Sequence, residues 1–270
     1  CSCQGNCDYR QHTASKDQAG VVYLHTFPKV PHVYNISPFA IKVESFLRMN
    51  KIPYEMIYTT DFGPTGLIPY IKLNGEFAAD SNSIIRRLKE VFGIVEVYPS
   101  ELLAVGHMMM RMLEEHTAQI GFYYRYALHM DDFCDALDVP KRMFRKNTSM
   151  KGCLSSWLWK NIMPSVHRNA MKTRRLAGFH SDEELWRLSF ADLTAISAFL
   201  GEKTYLLGEK PSTEDCVLFG HICQFLYIPI DFPQKGFLLE SCPNIVRFME
   251  RFRAEFWPDW LPLCEVPSGA

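Results

Sequence analysis

Two hydrophobic patterns follow one another along this chain. In the first part, short apolar runs at Val21–Phe27 and Tyr54–Tyr58 lie between turn residues and predict strands. Between them, Ser37-Pro38 opens a predicted helix that extends to about Asn50. Its apolar residues recur at helical spacing, at Phe39, Val43, Phe46 and Leu47.

A proline marks the entry to a third strand. Ile68-Pro69 stands directly before Tyr70–Leu73, a run typical of a buried strand. Because proline cannot donate a hydrogen bond to a sheet, Pro69 is predicted at the first residue of that strand. A cis peptide here would bend the chain sharply and free the backbone N–H and C=O of Ile68 for a ligand.

Turn and capping residues follow this strand. Asn74-Gly75 favours a two-residue hairpin turn. Asp80 and Ser81 then offer polar groups that can cap a helix to about Val91 and point at an anion. Strand, helix, strand, hairpin and helix in this order predict a thioredoxin-like α/β domain.

Helical patterns dominate the rest of the chain. Two of these predicted helices, which begin at Ser181 and Ser212, have an acid three residues after the serine, the signature of a capping box. The predicted helices are Glu101–Met130, Ser181–Leu200, Ser212–Ile228 and Pro243–Phe256.

The predicted fold class is therefore an N-terminal thioredoxin-like α/β domain followed by an all-helical C-terminal domain. With 270 residues and 47% apolar side chains, the chain can bury a full core. The predicted boundaries are a disordered cysteine-containing tail over 1–19, the thioredoxin-like domain over 20–93, a linker over 94–100, the helical domain over 101–262 and a tail over 263–270.

The net charge and the length of the apolar runs argue against two classes of protein. A net charge of −1 argues against nucleic-acid binding by overall electrostatics. No apolar run reaches the ~18 residues that a transmembrane helix needs. The chain begins at Cys1 rather than at a methionine, so an upstream anchor or targeting segment stays open. A cytoplasmic protein is expected, with membrane association through such a segment as the alternative.

The nine cysteines favour reduced thiols over a disulfide framework, because six of them are scattered among predicted helices. For the cluster of Cys1, Cys3 and Cys7, soft-metal binding, lipid attachment and no role at all stay open. The chain contains no C-x-x-C pair, and the histidines of the first long helix lack metal-ligand spacing. No metal cofactor is predicted.

One internal segment is strongly basic. The stretch 139–181 contains ten lysines and arginines and no acid, with Trp157 and Trp159 between them. Contact with an anionic membrane surface or an acidic protein partner is one interpretation. A solvated helix face with core tryptophans is the other.

Several of these motifs resemble the glutathione transferase family. The segment from Gly66 to Leu88 is similar to its glutathione-binding half, and TYLLGEKPSTEDCVLFGHI at 204–222 resembles the capped central helix of its helical domain. ISPFAIKVESFLRM at 36–49 and CPNIVRFMERFRAEFWPDW at 242–260 are similar to the failed axon connections group, which stands beside the metaxins and includes nematode cadmium-responsive proteins. The resemblance covers about residues 21–260.

The resemblance implies a residue that stabilises a glutathione thiolate. Ser37 is the expected group, through its hydroxyl and the N-terminus of the first helix, and Tyr34 is the alternative. A Ser-Pro pair also caps a helix for purely local reasons, and the two roles are compatible.

The resemblance also implies an anchor for the peptide, with Asp80 and Ser81 holding the γ-glutamyl amine and carboxylate. The implied glutathione-binding residues are Ile68, Pro69, Asp80 and Ser81. Leu67 departs from the family pattern, which often has a lysine there for the glycine carboxylate. Lys42 and Lys72 are the candidates to replace it.

Two functions follow from the resemblance. The first is conjugation of glutathione to small hydrophobic electrophiles, with glutathione as substrate. The second is a non-catalytic adaptor that acts at a membrane or in axon development. A homodimer stays open for either function, and no nucleic-acid partner is expected.

Overall fold

The computed structural model describes residues 18–139, 164–172 and 181–264. Nearly all of the predicted N-terminal tail, most of the C-terminal tail and most of the basic segment 139–181 lie outside the described residues. Within the described ranges, no helix combines the length and hydrophobicity needed to cross a bilayer.

The first half of the chain forms a four-stranded mixed sheet with two helices. The strands are ordered β2-β1-β3-β4, with β1 parallel to β2 and antiparallel to β3, and β3 antiparallel to β4. This arrangement confirms the predicted thioredoxin-like domain. The elements are β1 Val22–Thr26, α1 Pro38–Met49, β2 Tyr54–Tyr58, β3 Tyr70–Leu73, β4 Glu76–Ala79 and α2 Ser81–Phe92.

The described residues from Ser100 onward are mainly helical, as predicted. Residues 164–172 are also helical. The named helices are α3 Ser100–Met112, α4 Ala118–Tyr123, α5 Met130–Leu137, α6 Asp182–Leu200, α7 Thr213–Tyr227, α8 Pro233–Ser241, α9 Pro243–Phe256 and α10 Trp260–Cys264, with π-helical segments at Leu113–Thr117 and Tyr124–Leu128.

The prediction of one uninterrupted α-helix over Glu101–Met130 was wrong. The two π-helical segments interrupt it, and the chain leaves helical geometry at His129, with φ −127° and ψ 39°. A π turn inserts an extra residue and so changes which side chains face inward. Here the insertions contain Glu114 and Arg125, two charged side chains that are buried.

The start of α7 confirms the predicted capping motif. The Asp215 carboxylate accepts hydrogen bonds from the Ser212 N–H at 2.8 Å, the Ser212 hydroxyl at 2.7 Å and the Leu206 N–H at 2.8 Å. Burial raises the pKa of Asp215 to about 6, against the effect of these bonds. The motif therefore anchors the loop before α7 as well as the helix itself.

Helices α1 and α7 are in contact at a glycine. A Cβ atom built on Gly220 would lie 2.7 Å from the Pro38 carbonyl oxygen and 2.9 Å from the Lys42 backbone nitrogen. Both neighbours are backbone atoms, so neither can rotate away. The first turns of α1 are thereby fixed against the buried central helix of the second half.

A buried ion pair makes a second contact between the two halves. The Lys42 ammonium lies 2.6 Å from Oε1 of Glu114, and their side chains are 0% and 3% exposed. Burial opposes ionisation of Glu114, but the adjacent Lys42 outweighs it and lowers the pKa of this carboxyl. The pair holds the middle of α1 against the first π-helical segment.

Gly220→Ala should destabilise the protein, because the added methyl would overlap backbone atoms of α1. We expect the free energy of unfolding in urea to fall by about 1–3 kcal/mol, the usual range for overpacking. Gly236→Ala in α8 is the matched control, since its Cβ would meet nothing within 4 Å. Alanine's helix propensity should leave that variant unchanged or stabilise it by up to about 1 kcal/mol. Equal effects of the two substitutions would contradict the close contact.

Lys42→Met and Glu114→Gln should be strongly non-additive. Removing one partner leaves the other buried without its counter-ion, which typically costs about 3–5 kcal/mol. The double variant should recover most of that loss, as urea unfolding of all four proteins would show. Glu76→Gln is the control, because the Glu76–Arg87 pair is exposed and should change stability by less than about 1 kcal/mol. Simple additivity of the two buried substitutions would rule out the coupling.

Candidate functional site

The sheet register brings the predicted site residues to one edge. His25 at the end of β1 pairs with Tyr70 at the start of β3, and Tyr70 pairs with Ala79 at the end of β4. The next residues beyond this row are Pro69 on one strand and Asp80 on the other. The loop from β1 to α1 leaves the sheet at the same edge. Topology therefore places the strand-entry proline, the start of α2 and the loop that leads to Ser37 together.

Ser37 is the N-cap of α1, as the sequence predicts. Its backbone is extended, with φ −96° and ψ 114°, and its hydroxyl oxygen accepts the Ala40 N–H at 3.3 Å. The side chain is 7% exposed. A hydroxyl that accepts from the backbone keeps its own proton to donate. The helix N-terminus adds a field that favours negative charge.

A buried network holds the segment before Ser37. The Asn35 side chain accepts the Ser37 N–H at 2.9 Å and donates to the Thr26 hydroxyl at 3.1 Å and the Phe27 carbonyl at 3.0 Å. The Gln224 amide of α7 donates to the Asn35 carbonyl at 3.0 Å. The sequence analysis missed Asn35 and Gln224, because no local motif joins them.

The Ile68–Pro69 peptide bond is cis, the conformation that the sequence analysis considered for this position. Pro69 is buried, and Ile68 is half-buried directly before β3. Leu67 is 47% exposed, and its carbonyl accepts the Gly63 N–H at 3.1 Å. The position where the family often has a lysine thus presents an apolar side chain to solvent.

Asp80 is the N-cap of α2 and is exposed. One carboxylate oxygen accepts the Ser83 N–H at 2.9 Å. Its backbone has a φ of 68° and a ψ of 122°, a conformation that L-residues rarely adopt. Such outliers cluster at binding and catalytic sites, where surrounding structure holds them in place.

Ser81 is buried and belongs to a polar cluster around Lys42. The Lys42 ammonium donates to the Ser81 hydroxyl oxygen at 3.1 Å, the Asn82 side-chain oxygen at 2.7 Å and Glu114 at 2.6 Å. The Asn82 amide donates in turn to Glu114 at 3.0 Å. Lys42 is therefore committed to this cluster.

The other candidate lysine, Lys72, lies 5.6 Å from the centre of the Phe77 ring.

Burial is the largest influence on the pKa of the Lys42 ammonium and lowers it, whereas the nearby Glu114 carboxylate opposes that shift.

Tyr34, the alternative candidate, lies in the interior. Its hydroxyl is 3.1 Å from the Tyr58 hydroxyl, and its ring packs edge-on against Trp257 at 5.3 Å. Burial, with the nearby Glu44 carboxylate, raises the pKa of Tyr34 well above its usual value. Its position differs from that of Ser37, which heads a helix.

Solved structures that resemble this chain include a beta-etherase and several glutathione transferases. A beta-etherase from Sphingobium has a TM-score of 0.59 at 16% identity, with 90% of this chain and 97% of that chain covered. A glutathione transferase family member from Pseudomonas fluorescens, solved with two glutathione molecules bound, has a TM-score of 0.56 at 15% identity, with 91% and 93% covered. At this identity the likeness shows the fold.

Sequence relatives include three kinds of protein. Failed axon connections from Drosophila melanogaster is 29% identical over 255 residues, which are 90% of this chain and 60% of that protein. Isoprene-epoxide–glutathione S-transferase from Rhodococcus is 28% identical, with 82% and 93% covered. The mitochondrial outer membrane import complex protein METAXIN from Arabidopsis thaliana is 22% identical, with 81% and 67% covered. The chain thus spans less than two thirds of Failed axon connections.

Two family models match the chain. The glutathione S-transferase N-terminal domain matches residues 38–133, and the C-terminal domain matches residues 190–252. Together they span more than half of the chain, in the order that the fold requires. The chain belongs to the glutathione S-transferase superfamily and is related within it to Failed axon connections and the metaxins.

Proposed function

We propose that this chain binds glutathione at the sheet edge that carries Pro69 and Asp80 and conjugates it to small apolar electrophiles. The observation that carries the proposal is the sheet register, which brings the loop to α1 and the start of α2 to that edge, where the Lys42–Ser81 hydrogen bond joins the two helices. Helix N-termini favour anions, and glutathione carries a carboxylate at its γ-glutamyl end and an ionisable thiol.

The residues present suit the γ-glutamyl end of glutathione. The exposed Asp80 carboxylate would bind the amine, and one of its oxygens stays available beyond the bond to Ser83. Ser81 accepts from Lys42 and so keeps its hydroxyl proton to donate to the carboxylate. The lysine charge beside Ser81 favours the same anion. The backbone of Ile68 would pair with the peptide.

Ser37 would act on the thiol. Its hydroxyl would donate a hydrogen bond to the sulfur, and the α1 N-terminus would add its field. Lowering the thiol pKa by one unit from about 8.5 requires about 1.4 kcal/mol. The thiolate would then form a carbon–sulfur bond to the electrophile. The bond from the attacked carbon to a leaving group or to an epoxide oxygen would break, and its electron pair would go to that group or oxygen. Isoprene-epoxide–glutathione S-transferase is a relative whose name specifies such chemistry.

Ser37→Ala and Asp80→Asn should separate turnover from binding. Ser37→Ala should lose most turnover of a generic electrophile and keep glutathione affinity, because the hydroxyl acts on the sulfur. Ser37→Thr is its control, since threonine retains a hydroxyl and an N-cap. Asp80→Asn keeps the cap but removes the charge, and should weaken binding about ten- to hundredfold, as calorimetry would measure. Absence of heat with millimolar glutathione and wild-type protein would refute the proposal.

A second candidate function is a non-catalytic adaptor at a membrane. Two observations favour it: Leu67 stands where the family often has a lysine, and the relatives include a mitochondrial outer membrane import protein. The basic stretch 139–181 would supply contact with anionic lipid or an acidic partner.

Sedimentation with vesicles tests the adaptor. The protein should sediment with anionic vesicles at low salt and be released as salt rises, because screening weakens surface charge contacts. Vesicles of neutral lipid are the control. Binding that ignores salt, or no binding at low salt, would exclude electrostatic attachment.

A further inference from the structure

Arg125 contacts the backbone directly before Ser37. It lies in the second π-helical segment and is 2% exposed. One guanidinium nitrogen, Nη1, donates to the Ile36 carbonyl at 3.4 Å and to the Gln224 side-chain oxygen at 2.9 Å. Because the Ile36 carbonyl carbon is bonded to the Ser37 nitrogen, a buried positive charge lies beside the start of α1.

Neutral groups surround this charge. The rings of Tyr126, Phe133 and Phe122 lie 4.4, 4.7 and 5.0 Å from the guanidinium carbon. The titratable groups that face it are Tyr126 from its own segment, Cys134 from α5 and Cys223 from α7. Burial raises the pKa of Tyr126 and of Cys223, which are therefore neutral at pH 7. Among the described residues, the hydrogen bonds and ion pairs of Arg125 include no carboxylate.

The same guanidinium borders a small cavity beside the first residue of α1. The cavity holds about 10 Å³, room for about one water. Nε of Arg125 and Nε2 of His221 are buried without a hydrogen-bond partner among the described residues. Burial lowers the pKa of His221 to about 4, so this imidazole is neutral at pH 7. The lining includes Pro38, Phe122, Arg125, His221, Gln224 and Phe225.

We propose that Arg125 is a positioning residue that holds the backbone at Ile36 and supplies the positive charge that stabilises the glutathione thiolate at Ser37. Burying a charge is unfavourable unless the charge is paired. Lys42, another buried cation, forms an ion pair with Glu114. The thiolate would be the missing counter-charge of Arg125. This inference rests on the proposed function, because it requires glutathione at Ser37.

Gln224→Glu tests the charge without removing Arg125. The new carboxylate would stand where Gln224 now accepts from Arg125 and would neutralise it in place. The readout is the thiol pKa of bound glutathione, followed by the ultraviolet absorbance of the thiolate against pH. We expect a wild-type value about one unit below the reference of about 8.5, and a rise of about one unit in Gln224→Glu. Gln224→Met is the matched control, because it removes the hydrogen bonds of the Gln224 amide to Arg125 and Asn35 without adding charge, and its thiol pKa should stay low.

A second pair of variants covers a failure of Gln224→Glu to fold. Arg125→Lys keeps a charge and should keep the thiol pKa low, whereas Arg125→Met should raise it by about one unit. S-methylglutathione has no ionisable thiol, so it should bind all folded variants alike.

The possible failures are distinguishable. If glutathione binds but its thiol pKa is the same in Gln224→Glu as in Gln224→Met, the role of Arg125 is overturned and the proposed function stands. If neither glutathione nor S-methylglutathione binds the wild-type protein, the proposed function is overturned, and the role of Arg125 with it.

Discussion

The site depends on how closely α1 lies against α7. At Gly220 the two helices meet through backbone atoms, with no side chain between them. Interiors pack at crystal-like density, so such a contact leaves little freedom to shift. Ser37 heads α1, and its position is therefore set by the buried central helix of the other half. The Lys42–Glu114 pair fixes the same helix at a residue whose backbone also contacts Gly220.

The two π-helical insertions in the segment after α2 make different contacts with α1 and the residues before it. Glu114 and Arg125 both lie in π turns; Glu114 reaches Lys42 in α1, and Arg125 reaches Ile36, two residues before α1. Glu114 forms an ion pair with the buried Lys42 and also lies 3.9 Å from the exposed Arg111 guanidinium. Arg125 meets a carbonyl, an amide and aromatic faces, and its charge stays uncompensated by them. The first interaction stabilises the fold, whereas the second leaves an electrostatic field available for chemistry.

Local patterns predicted the elements well, because strands, caps and turns depend on neighbouring residues. Pro69 at the start of β3 and the capped start of α7 are examples. The predicted apolar face of α1, in contrast, does not include Lys42, yet that side chain is fully buried, since α2 and the first π segment cover it. The bond from Gln224 to Asn35 spans 189 positions, so no window of sequence could show it. The π-helical insertions at Glu114 and Arg125 interrupt the helical periodicity from which one continuous α-helix was predicted.

The backbone of Asp80 adopts a conformation that carries a cost in stability. A residue other than glycine at φ 68° carries a conformational penalty of about 1–3 kcal/mol, while glycine as an N-cap is only a few tenths of a kcal/mol poorer than aspartate. Glycine at this position would relieve the backbone penalty at little cost to the cap, but it would remove the carboxylate that the proposed γ-glutamyl contact requires.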